Sequence, residues 1–153
     1  MNVNVEKAMS FNGKDIVKLA NWMYEWWGEK EGYTLDEIVI RLQYSLCQDR
    51  IPQTFVAKIN RNIVGIYQFA MDDAPTRPDL YPWLCNLYVE ETYRGRGVSK
   101  VMLESVKKNM KALKIKRIYL YTEHTGLFEK YGFEYQEDII VNGESARLYM
   151  LKI

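Results

Sequence analysis

The sequence contains little cysteine and histidine, and it has no long apolar run. Cys47 and Cys85 are too few for a disulfide framework and lack the C-x-x-C spacing of a zinc or redox site. The one histidine, His124, cannot build a typical metal cluster with them, so we expect no bound metal. No stretch approaches the roughly 18 apolar residues of a membrane span, and the amino terminus has no apolar signal segment. These absences predict a cytoplasmic protein without membrane contact.

An excess of charge of either sign is also missing. The formal net charge is +1, which gives no general attraction to nucleic acid or to anionic lipid. A basic stripe at residues 107–117 is interrupted by Met110, Leu113 and Ile115, so it is interpreted as a solvated helix face. Nucleic-acid binding through this stripe is the lowest-ranked alternative. With 153 residues and 48% apolar content, the chain is expected to form a single domain over residues 1–153.

Apolar residues at spacings of three and four predict helices at residues 15–29 and 97–114. Thr34 and Glu37 have the spacing of a capping box, which predicts another helix start. In the aromatic segment NWMYEWW, at residues 21–27, helical spacing assigns Met23, Trp26 and Trp27 to the core and leaves Trp22 or Tyr24 to line a pocket.

Extended segments alternate with these helices. Strands are predicted at residues 3–9, 54–60, 63–71, 83–91 and 117–123, followed by a short helix at 124–131 and a hairpin across Asn142-Gly143. Residues 72–82 contain three of the four prolines and are predicted to be a loop. The fold class is therefore α/β, with the element order β-αα-ββ-β-α-β-α-ββ. Alternation in the fourth strand places Cys85, Leu87 and Val89 on one face and Leu84, Asn86, Tyr88 and Glu90 on the other.

The segment YRGRGVSKVM, at residues 93–102, combines two glycines and two arginines at the start of a predicted helix. Backbone N–H groups at a helix start have no intrahelical acceptor, and glycine lets a ligand approach the main chain. Arg94 and Arg96 add charge-assisted donors. The pattern favours a phosphate or a diphosphate. The spacing of a P-loop and that of a dinucleotide fingerprint are both missing.

The spacing R-x-x-G-x-small is present as Arg94-Gly95-Arg96-Gly97-Val98-Ser99. Here the sequence resembles the GNAT superfamily of N-acetyltransferases, whose loop for acyl-coenzyme A is [QR]-x-x-G-x-[GA]. LYVEETYRGRGVSKVML resembles the family's strand, loop and helix, and TRPDLYPWL resembles a segment that precedes them. LYTEHTGLFEKYGFE resembles a second family motif. The resemblance covers nearly the whole chain and implies a GNAT-like central mixed sheet flanked by helices.

The resemblance also implies acetyl-coenzyme A as cosubstrate and an amine acceptor that attacks it directly in a ternary complex. The residues implied to contact the cofactor are Leu87, Tyr88, Val89, Arg94, Gly95, Arg96, Gly97, Val98, Ser99 and Phe128. Two of them depart from the family pattern. Ser99 replaces Gly or Ala, and Phe128 occupies the position where many members have a tyrosine that protonates the leaving thiolate.

Catalytic candidates follow from the proton transfers that acetylation requires. Tyr131 retains a phenol one turn beyond Phe128 and is the candidate proton donor. Glu90 and Glu123 lie near strand ends, His124 follows directly, and Asn86 is a candidate for holding a water molecule. In the proline-rich loop, Asp72, Asp73 and Asp79 would suit a cationic amine. The acceptor is expected to be the amine of a small molecule or a peptide.

Alternatives remain open at this stage. Because Phe128 has no hydroxyl, the chain could be a non-catalytic module that binds or senses acyl-coenzyme A. Cys85 is interpreted as a small buried apolar residue rather than as a nucleophile. The terminal strands could also pair across a homodimer.

Overall fold

The computed structural model describes residues 2–153, which form a seven-stranded mixed sheet flanked by helices. Its strands are β1 (Asn4–Lys7), β2 (Gln53–Ile59), β3 (Asn62–Ala70), β4 (Trp83–Val89), β5 (Arg117–Thr122), β6 (Glu134–Val141) and β7 (Glu144–Lys152). Their spatial order is β1-β2-β3-β4-β5-β7-β6, and β4 with β5 is the parallel pair. The helices are α1 (Gly13–Met23), α2 (Leu35–Gln43) and α3 (Val98–Ala112). The predicted α/β fold and element order are confirmed.

The ends of α1 and α2 are explained by side-chain capping. Asn12 Oδ1 accepts a hydrogen bond from the Asp15 N–H at 2.8 Å, so α1 begins two residues before the predicted start. Thr34 and Glu37 form the predicted capping box. The Glu37 N–H donates to Thr34 Oγ1 at 3.1 Å, and the Thr34 N–H donates to Glu37 Oε1 at 2.9 Å.

The helix predicted for residues 15–29 is not uniform, because a π-helical turn at Tyr24–Gly28 follows α1. A π turn widens the helix and changes the direction of the side chains that follow it. Trp26 is 45% exposed, so its assignment to the core is wrong. Met23 is buried as predicted, whereas Trp27 is half-buried.

Two local motifs near the carboxyl terminus differ in outcome. The Asn142-Gly143 hairpin is confirmed, and both residues have positive φ, 51° and 78°, as a type I′ turn requires. The short helix predicted for residues 124–131 is confined to a 3₁₀ turn at Phe128–Tyr131.

The sheet separates two large apolar clusters. On one face, α3 contributes Val98, Met102, Leu103, Val106 and Met110. On the other face, α1 and α2 pack against Val56 of β2 and against Ile63 and Ile66 of β3. No helix among residues 2–153 is both long and apolar enough to cross a membrane.

Candidate active site

Strands β4 and β5 separate soon after they meet. Trp83 and Tyr119 form the parallel pair that joins them, and within residues 2–153 none of the later residues of β4 has a pairing partner in β5. On its other side β4 stays paired with β3 as far as Val89. The backbone edge of β4 beyond Trp83 is therefore open to a ligand that enters between the strands.

A β-bulge at Asn86 and Leu87 shapes this edge. Ile66 pairs with Tyr88 and Gln68 with Cys85, so two residues of β4 lie opposite one residue of β3. Asn86 has a φ of 54°, a left-handed conformation that asparagine tolerates better than most residues.

Because of the bulge, the side chains of β4 are distributed over the two faces of the sheet differently from the prediction. Leu84 belongs to the apolar cluster on the α3 side, and Leu87 and Val89 pack against the same cluster. Tyr88 packs against the α1–α2 cluster. The predicted grouping of Leu84 with Tyr88 is wrong, because the extra residue reverses the alternation in the middle of the strand.

The Asn86 side chain belongs to a polar network within the sheet. The Trp27 indole N–H donates to Asn86 Oδ1 at 3.0 Å, and Asn86 Nδ2 donates to Gln68 Oε1 at 2.6 Å. Gln68 Nε2 donates in turn to Thr54 Oγ1 at 2.9 Å, and this hydroxyl lies 2.6 Å from Ser45 Oγ. Both ends of the Asn86 amide are therefore occupied by protein groups.

The glycine-rich loop presents unpaired backbone donors. Among residues 2–153, the N–H groups of residues 95–100 donate to no acceptor, and the first bond of α3 runs from the Val101 N–H to the Gly97 oxygen. The Tyr93 and Arg94 N–H groups are occupied by Glu90 and Glu91. Gly95 and Gly97 have φ values of 74° and 82°, which L-residues rarely adopt. Such a row of donors at a helix start fits an anion.

The two arginines of the loop lie differently. Arg94 Nε donates to the Val89 oxygen at 2.9 Å, and its guanidinium lies 5.1 Å from the centre of the Tyr88 ring. The Arg96 guanidinium lies 5.6 Å from the Tyr93 ring centre, and Arg96 is outside the cavity lining. Arg94 thus connects the loop to the end of β4.

A cavity of about 1360 Å³ joins the loop to the gap between β4 and β5. The predicted site residues that line it are Asn86, Leu87, Tyr88, Val89, Arg94, Gly95, Gly97, Val98, Ser99, His124 and Phe128. The predicted site residues outside the lining are Glu90, Arg96, Glu123 and Tyr131.

Two catalytic candidates outside the lining have other partners. Glu90 forms an ion pair with Lys18 at 3.4 Å. Tyr131 packs against the cluster on the α3 side.

Phe128 is 7% exposed, and its ring lies 5.8 Å from that of Phe133 and 6.3 Å from that of Tyr149. It presents an apolar surface to the cavity.

The opposite part of the cavity is acidic, and two of the three aspartates predicted to suit a cationic amine lie there. Asp72 and Asp73 line it together with Glu31, whereas Asp79 is paired with Arg77 at 3.0 Å outside the lining. The pKa of Asp73 is raised to about 7, mainly by burial and then by the charges of Glu31 and Asp72, while Arg41 acts in the opposite direction.

Two further groups in this part of the cavity are held neutral. Burial raises the pKa of the Cys85 thiol well above its ordinary value, and the nearby charge of Asp73 acts in the same direction. The pKa of Tyr121 is raised mainly by burial and then by Asp73. A protonated thiol is a poor nucleophile, which agrees with the interpretation of Cys85 as a packing residue.

Aromatic rings form a wall beside the acidic groups. The Trp22 and Trp26 rings lie 5.1 Å and 5.5 Å from the Tyr88 ring, and all three residues line the cavity. Trp22 and Trp26 are four residues apart, and Trp26 lies within the π turn. Trp22 was predicted to line a pocket, whereas Tyr24 is outside the lining. Such rings favour the apolar and cationic parts of an amine.

A sequence profile of the acetyltransferase (GNAT) family matches residues 15–133. The chain belongs to the GNAT acetyltransferase family. The spermine/spermidine N(1)-acetyltransferase of Bacillus subtilis is 32% identical over 70 residues, which cover 42% of this chain and 46% of that protein. The chain thus spans about half the length of the curated relatives it matches.

Solved structures of GNAT proteins share the fold over the full chain. A GNAT-family acetyltransferase from Streptococcus pneumoniae has a TM-score of 0.71 at 20% identity, with 99% of this chain and 100% of that chain covered. One from Elizabethkingia anophelis, with acetyl-CoA bound, has a TM-score of 0.62 at 19% identity, with 99% of both chains covered. The predicted family and fold, those of a GNAT acetyltransferase, are confirmed.

Proposed function

We propose that this GNAT acetyltransferase transfers the acetyl group of acetyl-CoA to a primary amine of a cationic small molecule, by direct attack in a ternary complex. The observation that carries the proposal is the polarity of the cavity. One end of the cavity has the unpaired N–H groups of residues 95–100, and the other end has the carboxylates of Glu31, Asp72 and Asp73. A diphosphate suits one end, and a protonated amine suits the other.

The loop is suited to the diphosphate of coenzyme A. Its N–H groups supply fixed donors, and the α3 dipole favours negative charge at the same place. Ser99 adds only a small side chain, so it leaves this backbone accessible. Arg94, anchored on the Val89 oxygen, would place its remaining guanidinium N–H groups near the phosphates.

The open edge of β4 would receive the pantetheine arm and the thioester. Leu87, Tyr88 and Val89 line the cavity, and β5 leaves their strand edge unpaired. In this role, a backbone N–H of the edge polarises the thioester carbonyl and stabilises the tetrahedral oxyanion. One such donor is worth about 3 kcal/mol in acyl-transfer sites.

The acceptor would bind between the aromatic wall and the carboxylates. Trp22 and Trp26 line the cavity and can contact methylene or ammonium groups, and Glu31 and Asp72 attract positive charge. The matched part of the B. subtilis spermine/spermidine N(1)-acetyltransferase supports polyamines as the first acceptors to test.

The leaving thiolate needs only modest assistance, since a free thiol has a pKa of about 8.5. Phe128 has no proton to give, and Tyr131 lies outside the cavity lining. We therefore assign protonation of the thiolate to solvent. His124, which is exposed and lines the cavity, stays a candidate for relaying that proton.

Calorimetry with coenzyme A and acetyl-CoA tests the cofactor site, and a thiol-release assay with spermidine, spermine, a lysine peptide and a neutral amine tests the reaction. We expect micromolar binding of both cofactors and the fastest turnover with the polyamines. Binding without turnover of any amine would favour the non-catalytic acyl-CoA module, to which Phe128 gives some support. No binding of either cofactor would contradict both functions.

A further inference from the structure

Among the three carboxylates in the acidic part of the cavity, Asp73 is the least exposed to solvent. It is half-buried, it lines the cavity, and among residues 2–153 its carboxylate forms no hydrogen bond or ion pair. Asp79, in the same loop, is held by Arg77 instead. A partly desolvated carboxylate without a protein partner, facing a substrate cavity, is free to exchange a proton with what binds there.

Its neighbours also suit a proton-accepting role. The other groups around it are Glu31, Asp72, Arg41, Cys85 and Tyr121. Glu31 and Asp72 are exposed and carry negative charge, Arg41 is the opposing cation, and Cys85 and Tyr121 stay protonated at neutral pH. The Arg41 guanidinium is occupied by aromatic faces, 5.4 Å from the Trp27 ring centre and 4.9 Å from that of Tyr33.

We propose that Asp73 is the general base of the acetyl transfer and takes a proton directly from the acceptor ammonium. This inference rests on the proposed function and extends it to a named catalytic residue. The Asp73 pKa of about 7 supports the assignment, because a base is most effective when its pKa is close to the working pH.

The proton balance is complete without another reactant. The ammonium gives one proton to the Asp73 carboxylate, and the neutral nitrogen forms a bond with the thioester carbon. The carbon–sulfur bond then breaks, the nitrogen loses its second proton, and the thiolate takes up a proton to leave as free coenzyme A. Asp73 returns its proton to solvent through the open cavity. The net reaction releases one proton.

Asp73→Asn tests the proposal, because it removes the base and keeps the shape of the side chain. Asp79→Asn, outside the cavity lining, is the matched control in the same loop. Initial rates are measured with acetyl-CoA and spermidine between about pH 6 and pH 10, and coenzyme A binding is measured by calorimetry. We expect Asp73→Asn to lower kcat/KM at pH 7 at least about 100-fold, with coenzyme A affinity unchanged within about twofold.

The pH profiles separate a base from a merely structural residue. Wild-type kcat/KM should rise and level off above about pH 7, as Asp73 ionises. In Asp73→Asn it should keep rising about tenfold per pH unit toward the acceptor's own pKa near 10, because the variant depends on amine that is already neutral. Asp73→Glu should retain the wild-type form of the profile.

Three results would overturn the assignment. They are an Asp73→Asn variant within about threefold of wild type at pH 7, an unchanged inflection in that variant, and a wild-type profile without an inflection near pH 7. The last result needs no variant, so a folding defect cannot hide it. A wild-type protein that acetylates no amine contradicts the proposed function and this inference together, whereas an active Asp73→Asn variant contradicts only the role of Asp73.

Discussion

Asn86→Ala should destabilise the protein by about 3 kcal/mol. The change removes two hydrogen bonds, from the Trp27 indole at 3.0 Å and to Gln68 at 2.6 Å, each worth about 1 kcal/mol net. Alanine also lacks the side-chain amide that helps asparagine to adopt a φ of 54°, which costs about 1 kcal/mol more. Asn86→Gly loses the hydrogen bonds but relaxes the backbone, so about 2 kcal/mol is expected.

Urea denaturation measures these differences, and Asn60→Ala is the matched control. Asn60 also has a positive φ, 50°, but it is exposed and its side chain forms no hydrogen bond within residues 2–153. Asn60→Ala should therefore cost only the backbone contribution of about 1 kcal/mol. With a slope near 2 kcal/mol per molar urea, Asn86→Ala should lower the midpoint by about 1.5 M. An Asn86→Ala cost no larger than that of Asn60→Ala would refute the view that this network stabilises the bulge.

Further predictions concern the loop, the phenol and the acidic carboxylate. Gly97→Ala should raise the KM for acetyl-CoA several-fold, because alanine resists a φ of 82° although no atom lies within 4 Å of its Cβ; an unchanged KM would contradict the need for this conformation. Arg94→Ala should also raise that KM in steady-state assays, and equal values would remove the diphosphate role. Tyr131→Phe should leave kcat within about twofold, whereas a tenfold loss would restore its phenol as the proton donor. Asp73→Asn should be more stable than wild type, by a difference that grows between about pH 4 and pH 7 and stays below about 4 kcal/mol in thermal or urea unfolding. The reason is that the folded carboxyl, with a pKa of about 7, holds its proton more tightly than the unfolded one. A stability difference that does not depend on pH would contradict the raised pKa.

The acidic carboxylate illustrates a conflict between stability and function. Keeping Asp73 ionised in a partly buried place opposes folding above pH 7, and the same environment brings its pKa to the range where it can accept a proton. A residue selected for packing alone would not be an unpaired carboxylate at this position.

Local sequence patterns were sufficient for much of the fold. The Thr34–Glu37 capping box, the Asn142-Gly143 turn and the glycine-rich helix start each depend on interactions within a few residues. The donors at residues 95–100 could be inferred for the same reason, since a helix start leaves its N–H groups free wherever it lies in the fold.

Two deviations from regular periodicity were not predictable from those patterns. The π turn at Tyr24–Gly28 interrupts the helix predicted for residues 15–29, and the bulge at Asn86 reverses the faces of β4. Predicting faces from periodicity assumes that the helix or strand is regular. An extra residue in it cannot be recognised from the sequence before its partners in the fold are known. The partners of Asn86, Trp27 and Gln68, are distant in sequence.

By itself, the sequence determined the α/β order of elements and the anion-binding character of the loop, because both arise from neighbouring residues. The loop aspartates suggested a cationic acceptor, but the tertiary structure decided the chemistry at the other end of the cavity. Folding brings residues 31, 41, 72, 73, 85 and 121 together and removes them partly from water. The pKa of a carboxyl group depends on that desolvation and on the charges around it, and neither is a property of its place in the chain.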